Sequence, residues 1–199
     1  EVNWSLPRAQ QVIHTRQNIY DGTWYKTPSM GWMFVPLTQY HGGGAAATIE
    51  PLDEHLEHYQ RMLTSNLALG VQACYRGPRL YDTDRTKVMV KQWVDWFKQY
   101  RNILESDMIH GRRADGRDLD WMLHVNPKLQ HKGMLVVFNP LKEDVAKTIK
   151  VPLYYTGLTD TAKVSHEGSQ AVDYELARDF SVDLPVKVPA EGMTWFVVE

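Results

Sequence analysis

Residues 71–82 read VQACYRGPRLYD. Val71 to Tyr75 is a short apolar run that ends on the abrupt turn Arg76-Gly77-Pro78-Arg79, and a long helical pattern starts near Asp84. Cys74, Tyr75, Arg76, Arg79, Tyr81 and Asp82 crowd the point where the strand stops. In sheets built of βα units, ligands bind beyond the carboxyl ends of the strands, on the loops that follow. The candidate chemistry of the chain is therefore expected here.

Upstream, a helix is expected from Pro51, with Asp53 and Glu54 in its first turn where negative charge suits the macrodipole. Its stripe is Leu52, Leu56, Tyr59, Leu63 and Leu67, and Gly70 stops it. Before it, Gly31–Leu37 reads as a buried strand with Pro36 near its end, leaving through Thr38-Gln39-Tyr40-His41-Gly42-Gly43-Gly44. Residues 5–20 read as a first helix: Ser5 can cap it, Pro7 suits its first turn, and Val12, Ile13, Arg16, Ile19 and Tyr20 keep helical spacing. Downstream, Val90, Trp93, Val94, Phe97, Tyr100 and Leu104 mark a helix from about Asp84 to Glu105. Helix, strand, helix, strand, helix argues for a parallel sheet with crossover helices.

The pattern changes after Ser106. A charged, glycine-containing connector, residues 111–117, leads into strands at Leu119–Val125, Gly133–Phe138, Ala146–Leu153, Lys163–Glu167, Ala171–Leu176, Phe180–Pro185 and Met193–Val198. Turn pairs such as Asn126-Pro127, Asn139-Pro140 and Glu191-Gly192 separate them, which suggests an antiparallel sandwich.

Composition narrows the function classes. The 199 residues carry a formal net charge of −2 without a Lys/Arg block, so no nucleic-acid partner is expected. No apolar run approaches the roughly 20 residues of a membrane span. One cysteine excludes an internal disulfide. Seven Trp and ten Tyr are a surplus open to two uses, rings stacking on the apolar faces of sugars or large side chains in a two-layer core. The first residue is Glu1 and no signal peptide follows, so a cut, processed or cloned front end is expected.

Gly31–Leu37 and Val71–Tyr75 as last barrel strands and Thr86–Glu105 as closing helix form one recognisable order. Glu105-Ser-Asp-Met-Ile-His-Gly-Arg-Arg113, Gly133-Met-Leu-Val-Val-Phe-Asn-Pro140 and Gly192-Met-Thr-Trp-Phe-Val-Val-Glu199 come after it. In that order the chain resembles the C-terminal part of a bacterial glycoside hydrolase of the α-galactosidase-like clan. The resemblance implies an α/β region followed by an all-β one. Residues 1–107 would be the last βα units of an incomplete (β/α)8 barrel, and residues 108–199 an antiparallel C-terminal β-sandwich. It also implies a carbohydrate partner, a retaining α-galactosidase-like hydrolase as the parent enzyme, no cofactor or metal, and a periplasmic or secreted location.

A full barrel needs eight βα units, roughly 250 residues, and only two and a half are present. The family's nucleophile and acid belong to earlier strands, so the catalytic residues are left unassigned and the isolated chain is expected to be inactive. Glu50 and Asp82 are the nearest carboxylates, open also to plainer roles before Pro51 and as a helix cap. Tyr40, His41, Tyr75, Arg76 and Tyr81 are the expected substrate contacts. An incomplete barrel exposes strand edges, so its missing N-terminal part or a second copy of the chain is the expected protein partner. The alternative is a non-catalytic carbohydrate-binding or scaffold module whose sandwich carries the interaction.

Other motifs reduce to less. His41-Gly-Gly-Gly44 resembles an esterase oxyanion loop, yet no Gly-x-Ser-x-Gly accompanies it. Gly42-x-Gly44-x-x-Ala47 nominally fits a dinucleotide fingerprint, but the next strand ends on Cys74-Tyr75-Arg76 without an acid. His55 and His58, with Glu54 and Glu57, read as a solvated helix face. Two readings stay open for Arg76 and Arg79: a bidentate grip on a sugar hydroxyl or substrate carboxylate, or pairing with Asp82 and Asp84 to hold the turn. The charges of residues 112–120 are expected as ion pairs fixing the sandwich against the barrel. Cys74 lacks an adjacent base and is not expected to be a nucleophile.

Overall fold

Gly31 lies beside Val71 and Pro36 beside Arg76, so the two apolar runs of the first half are neighbouring strands running in the same direction. The computed structural model describes residues 6–25, 31–36, 49–76 and 79–199, and the chain divides into two units, Glu1–Leu104 and Glu105–Glu199.

The first unit consists of α1 (Arg8–Tyr25), β1 (Gly31–Pro36), α2 (Leu56–Leu67), β2 (Val71–Arg76) and α3 (Asp84–Leu104). Parallel neighbours need a crossover of a dozen or more residues; α2 supplies it and packs on both strands, on α1 and on α3. This central position explains why its end is buried all round, from Met62 through Leu69. Two of the polar side chains caught there are held by hydrogen bonds. Arg16 of α1 donates to Ser65 Oγ at 3.3 Å, and Asn66 Nδ2 donates to the Met62 carbonyl at 2.7 Å.

Three helical expectations need correction. α1 runs through Asp21-Gly22 to Tyr25, because Gly22 faces solvent with nothing within 4 Å and a helix tolerates it. Ser5 lies outside the described residues. Residues 51–55 form turns and α2 starts only at Leu56, because the Asp53 N–H is bonded to the Asp82 carboxylate. In α3 the buried face is Thr86, Met89, Val90, Trp93, Trp96, Tyr100, Ile103 and Leu104, while Val94 and Phe97 are only partly covered.

The second unit is antiparallel throughout its described pairings. A six-stranded sheet has the order β3 (Asp107–His110), β4 (Asp120–Val125), β5 (Gly133–Phe138), β10 (Met193–Val198), β7 (Thr161–His166) and β8 (Val172–Glu175). β6 (Val145–Pro152) pairs with β9 (Ser181–Val188) as a separate ribbon. The alternation of β9 shows how that ribbon is anchored: Val182, Leu184, Val186 and Val188 are buried, while Asp183, Pro185 and Lys187 are exposed. Those buried residues share one core with Leu123, Leu135, Val137, Val164 and Phe196 of the larger sheet.

β3 is a strand in a stretch that the sequence reads only as the run-up to the connector; it pairs with β4 from Asp107↔Val125 to His110↔Met122. Part of the charged connector is bonded within the second unit. Arg112 bonds Asp115 at 2.6 Å and the carbonyls of Asp118 and Leu119, while Lys147 of β6 reaches Asp118. These bonds tie the second unit to itself. Trp121 closes the same corner, its ring lying where a Cβ on Gly111 would come within 2.1 Å.

Candidate functional site

The parallel register brings the carboxyl ends of β1 and β2 together, with Pro36 beside Arg76. Of the expected contact residues, Tyr75 and Arg76 are the last two residues of β2, opposite Val35 and Pro36. Tyr81 lies past the turn, 45% exposed, with the Lys87 ammonium 5.6 Å from its ring centroid. Tyr40 and His41 lie outside the described residues.

Beyond β2, a hydrogen-bonded knot joins the approach to α2 with the start of α3. Arg79 donates through Nε and Nη2 to the two carboxylate oxygens of Glu50, both at 3.2 Å. The partner of Arg79 is thus Glu50; Asp82 adds only a weaker attraction. Tyr59 of α2 donates its hydroxyl to the Leu80 carbonyl at 2.9 Å. Asp82 accepts the backbone N–H of Asp53 at 3.1 Å and the Thr86 hydroxyl at 3.1 Å. Asp53 in turn accepts the Thr83 hydroxyl at 2.9 Å and lies 3.5 Å from Arg85 Nε.

Thr83 and Thr86 form a reciprocal cap at the start of α3. The Thr86 N–H donates to Thr83 Oγ1 at 3.3 Å, and the Thr83 N–H donates to Thr86 Oγ1 at 3.1 Å. The sequence shows this only as Thr-x-x-Thr, with threonine where a capping box has Glu or Gln.

These contacts decide what the two carboxylates can do. Burial alone would raise the Asp82 carboxyl, but the Asp53 N–H and the Thr86 hydroxyl outweigh it and hold it below the usual range. Glu50 is neutralised by a two-point guanidinium clamp. The lowered Asp82 carboxyl is the opposite of a glycosidase general acid, whose carboxyl is raised so that it keeps its proton. These bonds hold both carboxylates in place.

The His55/His58 pair also departs from a purely solvated face. His58 is half-buried, and burial together with the positive charge of Arg8 and Arg61 lowers its pKa to about 3, so its imidazole is neutral at physiological pH. Among the described residues, no three His, Cys, Asp or Glu side chains are grouped to hold a metal ion. No described helix is long and apolar enough to cross a membrane.

No protein-family model and no curated protein matches the chain. Solved structures do. A GH27 β-L-arabinopyranosidase from Geobacillus stearothermophilus, in complex with arabinose, aligns with 98% of this chain and 43% of its own at a TM-score of 0.56 and 9% identity. The galactosidase domain of the α-galactosidase-sucrose kinase AgaSK aligns with 94% of this chain and 24% of its own, at a TM-score of 0.59 and 16% identity. An α-amylase from Geobacillus thermoleovorans, complexed with acarbose, aligns with 90% and 41%, at a TM-score of 0.54 and 10% identity. The likeness is one of fold. It runs across both units of this chain, which spans less than half the length of each of these three structures.

Proposed function

We propose that this chain is the C-terminal part of a glycoside hydrolase-like protein acting on carbohydrate. In this reading Glu1–Leu104 supplies the last βα units of a (β/α)8 barrel and Glu105–Glu199 an antiparallel β-sandwich. The observation that carries it is the parallel β1/β2 pair joined through α2, followed by antiparallel sheets. Its likeness in fold to carbohydrate-acting enzymes supports the substrate class.

Tyr40, His41, Tyr75, Arg76 and Tyr81 contact the sugar at the mouth of the barrel, and the Glu50–Arg79 clamp with the Asp82–Thr86 cap shapes the turn that presents them. The acid and nucleophile come from barrel strands outside this chain. Its partner is that remainder of the polypeptide or a second copy, and the whole works in the periplasm or outside the cell. The test is turnover of aryl glycosides, α-galactosides first, by the isolated chain. No turnover is expected, and substantial turnover contradicts the reading.

A second reading, a non-catalytic carbohydrate-binding or scaffold module, is favoured by one observation: the second unit exposes the adjacent tyrosines Tyr154 and Tyr155. Alanine at Tyr75 and Arg76 separates the two. Weakened sugar binding supports the barrel mouth, and unchanged binding moves the contact to the sandwich.

A further inference from the structure

Tyr154 and Tyr155 are 60% and 59% exposed, whereas Tyr59 and Tyr100 are buried. Leaving two adjacent rings in water forgoes the burial that large aromatics ordinarily obtain. Their arrangement is specific. The two rings stand perpendicular, at 88° with centroids 5.2 Å apart, and make an open corner. Phe180 braces Tyr154 edge-on at 5.4 Å.

The corner is preorganised. Tyr154 and Tyr155 sit on a single turn of 3₁₀ helix, Tyr154–Thr156, closed by the Thr156 hydroxyl donating to the Leu153 carbonyl at 2.6 Å and by Gly157 at φ 77°. Phe180 holds φ at 58°, a conformation a bulky residue adopts only when its surroundings impose it. Its N–H bonds the Ala177 carbonyl and its carbonyl accepts the Leu153 N–H, both at 2.8 Å.

The surrounding charges select the occupant. Lys150 is paired with Asp179 at 2.7 Å, and Asp179 also accepts the Ser181 hydroxyl at 2.5 Å. Asp183 also acts on Lys150, so the charges of this patch are mixed in sign and paired among themselves. Three rings are also far smaller than the roughly 800 Å² per side of a stable protein interface. A neutral ligand one ring wide remains, with an apolar C–H face and polar edges: a saccharide ring.

We propose that Tyr154, Tyr155 and Phe180 form a saccharide-stacking corner on the second unit, with the tyrosine hydroxyls and the Lys150–Asp179 pair at its polar rim. This deepens the carbohydrate reading and is independent of whether the first unit belongs to a barrel.

The experiment titrates the whole chain, with its tyrosine rings isotopically labelled, with D-galactose, L-arabinose and maltotriose and follows the ring resonances. At least one sugar is expected to shift Tyr154 and Tyr155 saturably, with a dissociation constant of about 1 mM or weaker. Y154A and Y155A weaken that binding about tenfold, the scale of alanine substitution at other aromatic stacking platforms, while Y155F keeps it within about threefold. Both sites are exposed, so thermal unfolding stays unchanged. The proposal is overturned if no sugar shifts these rings, or if they respond only to anionic vesicles or to rising protein concentration. It is also overturned if alanine at Tyr75 and Arg76 removes all sugar binding while Y155A leaves it intact. That last result preserves the barrel-mouth reading.

Discussion

The guanidinium of Arg79 and the carboxylate of Glu50 meet at two points, each 3.2 Å long, and close a connection between residues that precede α2 and residues that come after β2. The pair is half open on the arginine side, with side-chain exposures of 52% and 18%. Such a bond fixes geometry more than it adds stability. We predict that Arg79→Ala lowers hydrogen-exchange protection around Asp53 and Thr83 while leaving that of α3's centre unchanged. Part of the difference should vanish between low and high salt, because exposed ion pairs are screened.

His58 gives the first unit a defined acid response. Its folded pKa is about 3 against the ordinary value of 6.5, so between these values the unfolded chain binds more protons. Stability contributed by the neutral imidazole is therefore full above pH 6.5 and is lost progressively as pH falls toward 3. The lowered carboxylates, Asp82 among them, start from 3.8 and act only below it. Urea unfolding between those two ordinary values thus reads the histidines, His58 among them, apart from the lowered carboxylates. His58→Gln should flatten the pH dependence there, and an unchanged slope contradicts the assignment.

Two glycines should answer alanine in opposite directions. Gly22 is an exposed position near the end of α1 with open space where a Cβ would stand, so Gly22→Ala stabilises by about 0.5–1 kcal/mol. At Gly111 a Cβ would stand 2.1 Å from Trp121, so Gly111→Ala displaces the indole and costs about 1–3 kcal/mol. Denaturant midpoints of both variants check the pair.

Asn139 holds together three chain segments at the end of β5. Its Nδ2 donates to the carbonyls of Glu143, Val188 and Pro189 at 2.7, 3.2 and 3.0 Å, and its Oδ1 accepts the Leu141 N–H at 3.0 Å. The residue is 2% exposed, so Asn139→Ala strands buried carbonyls and should cost about 2–3 kcal/mol in denaturant unfolding. Asn139→Asp should be no better, since a carboxylate cannot donate to them.

Sequence and structure agree where local signals suffice. Gly133–Phe138 is an apolar run between turn pairs and Met193–Val198 one that follows the pair Glu191-Gly192, and both strands have those bounds. The four residues of β3 are hidden in the sequence because their identity as a strand depends on β4 across a charged connector. The helix expected over residues 5–20 continues through Asp21-Gly22, because an exposed helical position carries only the weak penalty of one glycine. At the candidate site Glu50 and Asp82 are legible as carboxylates near strand ends. Their partners are not, because Arg79 and Asp53 are each 29 residues away and only the fold brings them together. Nothing in the sequence separates Tyr154-Tyr155 from ordinary core aromatics; their exposure and the bracing ring of Phe180 do.

The central claim is that β1 and β2 belong to a larger parallel sheet whose other strands lie outside this chain. Among the described residues β1 and β2 pair only with each other, and open strand edges of this kind associate with whatever completes them. Multi-angle light scattering of the purified chain is the most direct measurement. The account predicts a species heavier than one 199-residue chain, or a complex with a co-expressed N-terminal portion. A monodisperse, soluble monomer would contradict it.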